Sequence, residues 1–173
     1  MASHKQHSLI YLVQAALFAA FAVLFTVLVR IPIGINGGYV HIGDAVIYLA
    51  AATLPLPYAM AAGAIGGGLS DLLAGAPQWA IASMLIKALL CLCFSARGAT
   101  LLTVRNGLGT AIAAVITCGG YYAAEWILFQ NAIVPIASLP LNAGQAAASA
   151  VLFLIVAPVL DRLKWKERLK GIS

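Results

Sequence analysis

Leu9–Val29 reads LIYLVQAALFAAFAVLFTVLV, and Arg30–Asp44 follows as RIPIGINGGYVHIGD. The first stretch contains no charged residue, and a membrane span needs roughly 20 apolar residues. It is too long for the apolar core of a signal peptide and lacks a cleavage pattern. The second stretch interrupts the apolar chain with an arginine, an asparagine, a tyrosine, a histidine, an aspartate and Gly34, Gly37, Gly38 and Gly43. A bare connector between membrane helices needs none of that chemistry, whereas a loop closing over a polar small molecule does. Glycines supply the backbone freedom such a lid requires.

Composition extends this reading to the whole chain. Of 173 residues, 63% are hydrophobic and 9% charged, against about 25% charged in soluble domains. A chain with so few polar groups takes lipid as its solvent. Its length accommodates six spans in one membrane domain, 1–173, predicted over about 8–29, 42–54, 57–74, 78–95, 107–129 and 142–160. The second is short for a bilayer, so it either tilts against a partner or continues through Pro55 and Pro57. Asn131–Leu141, holding Pro135 and Pro140, reads as an outer loop. The expected fold class is therefore all-α, an integral membrane bundle of six transmembrane helices.

Charge placement orients the bundle. With both termini cytoplasmic, Lys5, Arg97, Arg105, Arg162, Lys164, Lys166, Arg168 and Lys170 all lie inside, and only Arg30 and Lys87 do not, as the positive-inside rule requires. The basic residues form no soluble patch interleaved with aromatics, so nucleic acid is not an expected partner. Cys91, Cys93 and Cys118 fall in apolar runs and read as small buried side chains. No metal site, cofactor or catalytic constellation emerges, since His41 stands alone and Ser70 beside Asp71 has no base partner.

Ionisable groups within spans are costly and usually face a cavity or one another. Asp44, Asp71 and Glu125 each lie about one turn from the predicted outer surface, Lys87 lies deeper, and Arg30 and His41 sit above. The outer half thus carries the chemistry and the inner half is nearly featureless, which suits an outward cup and not a full-depth channel. Tyr39, Trp79, Tyr121, Tyr122 and Trp126 share the outer level. They supply stacking surface, and the carboxylates accept from a ring N–H or cationic nitrogen. Asn142 and Gln145 open the sixth span there, and Asn36 adds an amide to the loop. Two bland readings stand beside this one: Lys87 neutralised by Asp71 or Glu125, and Asp44 capping the second helix.

Small residues recur at helix-packing spacing, as Ala15/Ala19 and Ala16/Ala20 in the first span and Ala59, Gly63 and Gly67 in the third. These features, with the strings GGYVHIGDAVIYLAA, GAIGGGLSDLLAG and WAIASMLIKAL, resemble the substrate-binding S components of energy-coupling factor (ECF) transporters. The likeness is to the group related to riboflavin, pyridoxine, hydroxymethylpyrimidine and queuosine uptake. The resemblance implies a bacterial plasma-membrane protein that captures a vitamin-like ligand from outside. It implies docking, through Ala15, Ala16, Ala19 and Ala20, on a transmembrane T component that works with two cytoplasmic ATPases. Residues 31–41 would be the gate. A stand-alone channel or a ligand-free membrane scaffold is the competing expectation.

Overall fold

The computed structural model describes residues 2–32 and 38–171. It is almost wholly helical. Helix α1 covers Ala2–Leu28, α2 Asp44–Thr53, α3 Leu56–Leu73, α4 Ala80–Leu90, α5 Val104–Phe129, α6 Val134–Arg162 and α7 Trp165–Gly171. Short 3₁₀ turns, Pro77–Trp79 and Cys91–Cys93, flank α4. The connection after α1 carries a two-residue antiparallel pair, β1 (Ile31–Pro32) against β2 (Tyr39–Val40), which alternation in the sequence did not announce. Among the described residues, the helices Gln6–Leu28, Val104–Phe129 and Val134–Arg162 are long and apolar enough to cross a membrane.

The short α2 is the centre of the molecule. It packs against α1, α3 and α6, and Ala45–Tyr48, Ala50–Ala52 and Leu54 are buried. Surrounded by protein, it need not reach across a bilayer. It does not continue through the prolines: Leu54 is extended (φ −94°, ψ 155°), as a residue before proline prefers. Pro55 is the N-cap of α3 and Pro57 lies in its first turn, where a missing N–H costs nothing.

The expectation of an outer loop at Asn131–Leu141 is corrected. Helix α6 already begins at Val134. Pro135 falls in the first turn, and Pro140 is carried inside the helix, as membrane helices tolerate when neighbours satisfy the freed carbonyl. The α5–α6 connection shrinks to a tight turn. Gln130 closes α5 in the left-handed region (φ 51°), and the Asn131 carboxamide oxygen accepts from Ile133 N–H at 2.8 Å.

The alanines of α1 divide by face. Ala15 and Ala19 are buried within the bundle, whereas Ala16 and Ala20 are exposed. A Cβ at Gly66 of α3 would lie 3.1 Å from Ala22 Cβ and 3.3 Å from the Ala19 carbonyl oxygen, so α1 and α3 meet almost backbone to backbone. Ala15 and Ala19 are consequently unavailable to another protein while the fold is intact.

The end opposite the 30–43 loop is not featureless either. The Lys166 ammonium donates to the carbonyls of Ala96, Gly98 and Thr100 at 3.0, 3.4 and 3.1 Å. The Asp161 carboxylate accepts from Leu101 and Leu102 N–H at 2.6 and 2.9 Å. Asn106 bonds the backbone of Ser95 and Leu101, and Thr103 caps α5 by accepting from Asn106 N–H. The α4–α5 connection is therefore stitched to the last two helices.

Candidate ligand cavity

The site starts from one buried ion pair. Asp44 opens α2, and its two carboxylate oxygens lie 2.7 and 2.8 Å from the Lys87 Nζ of α4, both residues being nearly inaccessible. This corrects both bland expectations. Lys87 is paired with Asp44 and not with Asp71 or Glu125. The N-cap of α2 is Gly43, with no side-chain capping bond, so the Asp44 carboxylate is spent on the lysine. Lys87 reaches α2 by crossing α3 where α3 has no side chains. A Cβ at Gly67 would lie 2.7 Å from Lys87 Cγ, and one at Gly63 would lie 2.8 Å from the Lys87 carbonyl oxygen. The glycine ladder of α3 is the passage for that side chain.

Gln145 of α6 joins the pair to the loop. Its Nε2 donates to Asp44 Oδ2 at 3.1 Å and its Oε1 accepts from His41 N–H at 3.3 Å. His41 Nδ1 accepts from Gly43 N–H at 3.0 Å and faces Thr26 Oγ1 at 3.3 Å. The ring proton is thus placed on Nε2. Burial, reinforced by the Lys87 charge and opposed by Asp44, lowers the His41 pKa from 6.5 to about 4, so the imidazole is neutral at physiological pH. Gly43 has no alternative, since a Cβ there would fall 2.0 Å from Thr26 Oγ1.

Tyr39 closes the loop onto α3, its hydroxyl donating to Asp71 Oδ1 at 2.5 Å. Burial first, and then the Asp71 charge, push the phenol well above its ordinary pKa, so it remains a donor. Arg30 Nη1 donates to the carbonyl of Ala74, the C-cap of α3, where a cation also complements the helix dipole. Arg30 thus ties the loop to the end of α3.

Behind Tyr39, β2 and the chain to His41, α3, the Pro77–Trp79 turn, α5 and α6 enclose a cavity of about 40 Å³. Its wall is Gly38, Tyr39, His41, Asp71, Trp79, Tyr121, Glu125, Ser138, Asn142 and Gln145. The Tyr121 ring has Lys87 Nζ 5.1 Å from its centroid and Trp79 edge-on at 6.5 Å, and its hydroxyl pairs with Ser83 at 2.8 Å. Ser138 donates to Glu125 Oε2 at 2.8 Å. About 40 Å³ holds only a few waters, so a ring enters only if the wall widens. Asp44 and Lys87 face an adjoining closed space of about 10 Å³ that shares Tyr39, His41 and Asp71 with the first.

Of the residues singled out from sequence, Tyr39, His41, Asp71, Trp79, Tyr121, Glu125, Asn142 and Gln145 share this wall. Tyr122 and Trp126 do not. Each follows an inward residue by one position, a turn of about 100° around the helix. Tyr122 donates to the Ala132 carbonyl at 2.8 Å, and Trp126 is 53% exposed on the outside of α5. Asn36 lies outside the described residues. Ser138, Ser83 and Thr26 were not anticipated. Ser138, Asn142 and Gln145 recur at i, i+4 and i+7, a one-face signal that reading Pro140 as a loop residue concealed.

A bundle of long apolar helices around an aromatic and carboxylate cavity beneath a short loop is the architecture of a small helical membrane protein. The model of the family described as ECF-type riboflavin transporter, S component, matches residues 6–162, and the chain belongs to that family. It is a membrane-embedded transporter subunit of the vitamin-binding type. It is also 32% identical over 106 residues to a Pyrococcus woesei protein described as "Uncharacterized protein in gap 3'region", a match covering 60% of this chain and 70% of that one.

Proposed function

We propose that the chain is the capture subunit of an ATP-driven importer, taking up a vitamin or related small nitrogen heterocycle from outside. The observation that carries this reading is the cavity itself. Aromatic rings, two carboxylates and two carboxamides converge under a loop tied down by Tyr39, His41 and Arg30. With Lys87 committed to Asp44, the charged groups on the wall are Asp71 and Glu125, which favours a neutral or cationic ligand over an anionic one. In this reading the chain crosses the membrane six times with both termini in the cytoplasm, and residues 31–41 are the outer gate. A T component and two ATPases complete the importer, the T component meeting the exposed Ala16 and Ala20 face of α1.

The decisive experiment is calorimetric titration of detergent-purified protein with riboflavin, pyridoxine, hydroxymethylpyrimidine and a deazapurine precursor of queuosine. Submicromolar binding of one member is expected. Failure of every member to bind overturns the reading.

A further inference from the structure

Asp71 and Trp79 belong to one short, hydrogen-bonded segment. Asp71 sits in the last turns of α3, and the chain reverses through Gly75 at φ 76°. The N–H of Ala76 donates back to the Asp71 carbonyl at 2.8 Å, and Pro77–Trp79 brings the indole over the same cavity. Arg30 holds the Ala74 carbonyl within that turn. One hydrogen-bonded turn thus brings carboxylate and indole to the same cavity.

Both side chains are only 5% exposed and both line the cavity. Most other buried polar groups of the wall are already engaged: Tyr121 with Ser83, Glu125 with Ser138, Gln145 with Asp44 and His41. Tyr39 takes Asp71 Oδ1 and Ser83 also approaches the Asp71 carboxylate, but neither Asp71 Oδ2 nor Trp79 Nε1 has a protein partner in good hydrogen-bonding geometry. Buried polar atoms are nearly always satisfied, and leaving one unpaired is costly.

Taking the cavity as the binding site, we propose that Asp71 and Trp79 together read the edge of the ligand. A ring or exocyclic N–H donates to Asp71 Oδ2, and a carbonyl oxygen or pyridine-type nitrogen accepts from Trp79 Nε1. The ligand class is a planar heterocycle with a donor beside an acceptor, its face against Tyr121. Phosphorylated forms are rejected by the carboxylates of Asp71 and Glu125.

The test uses the full chain in detergent and whichever member of the four-compound panel binds the wild type. Trp79→Phe and Asp71→Asn are compared with Trp126→Phe, which lies off the cavity, with folding checked by size exclusion and thermal unfolding. Each cavity variant should weaken binding about tenfold or more, and Trp126→Phe by less than about twofold. Asp71→Asn turns an NH₂ where the acceptor stood, so N-methylation of the ligand's N–H should weaken wild-type binding but not binding to this variant. Tight wild-type binding that Trp79→Phe leaves within about twofold, or equal affinity for the ligand's phosphate ester, overturns the proposal. If Asp71→Asn does not fold, Trp79→Phe and the methylated ligand decide the matter. Absence of binding by every panel member overturns the cavity reading, and this proposal with it, a result distinct from tight binding indifferent to both residues.

Discussion

Lys87 is an ammonium held where water does not reach, and its only charge partner within 4 Å among the described residues is Asp44. Removing one member of a buried pair strands the other, a cost of about 3–5 kcal/mol, whereas replacing both with apolar groups of similar volume is often neutral. Lys87→Met and Asp44→Leu should therefore each lower the thermal unfolding midpoint sharply, and the double variant should recover much of the loss. A double variant as unstable as the sum of the singles would show that the two charges do not act as a pair. Each residue is conspicuous in the sequence, because an ionisable group in an apolar run always is. Their pairing is not. Position along a helix fixes a side chain's depth, and Asp44, Asp71 and Glu125 share nearly one depth. Which of them meets Lys87 depends on which helix α4 packs against and on what stands between.

What stands between is α3, and its glycines serve more than close packing. At Gly63 a Cβ would meet the Lys87 carbonyl oxygen at 2.8 Å, a backbone atom that cannot step aside, while at Gly144 of α6 nothing lies within 4 Å. Gly63→Ala should destabilise the protein by separating α3 from α4. Gly144→Ala should be neutral or stabilise by up to about 1 kcal/mol, the propensity difference between the two residues in a helix. Thermal unfolding of both distinguishes them, and equal midpoints would refute the crossing. Helices of this kind were legible wherever a long apolar run was unbroken, as in α1 and α5. Legibility failed where proline intervened. Pro55 ends α2 as its position suggests, yet Pro140 sits inside α6, because a membrane helix supported by neighbours can absorb one lost hydrogen bond.

Across the whole molecule, α1 presents one face to the bundle and another to its surroundings. Ala16→Leu, on the exposed face, should leave ligand affinity unchanged and impair uptake in cells supplying the rest of the importer. Ala19→Leu should instead unfold or displace α1, because its side chain would press into α3 near Gly66. Normal uptake by Ala16→Leu would remove that face as the meeting point with the T component. The paired alanines were visible in the sequence, but spacing alone could not say which pair was already occupied. Likewise the cavity's aromatic and acidic residues were legible as unusual, and half of the Tyr121–Trp126 cluster still turned out to face away.

The cage around Lys166 has a consequence for the opposite end. Main-chain oxygens converging on a cation are how a potassium site replaces an ion's hydration shell, and three of them meet the Lys166 ammonium. Here the ion is covalently tethered, carried in by α7 from the last segment of the chain. The 96–100 turn is therefore coupled to the seating of α7, and displacing one should loosen the other.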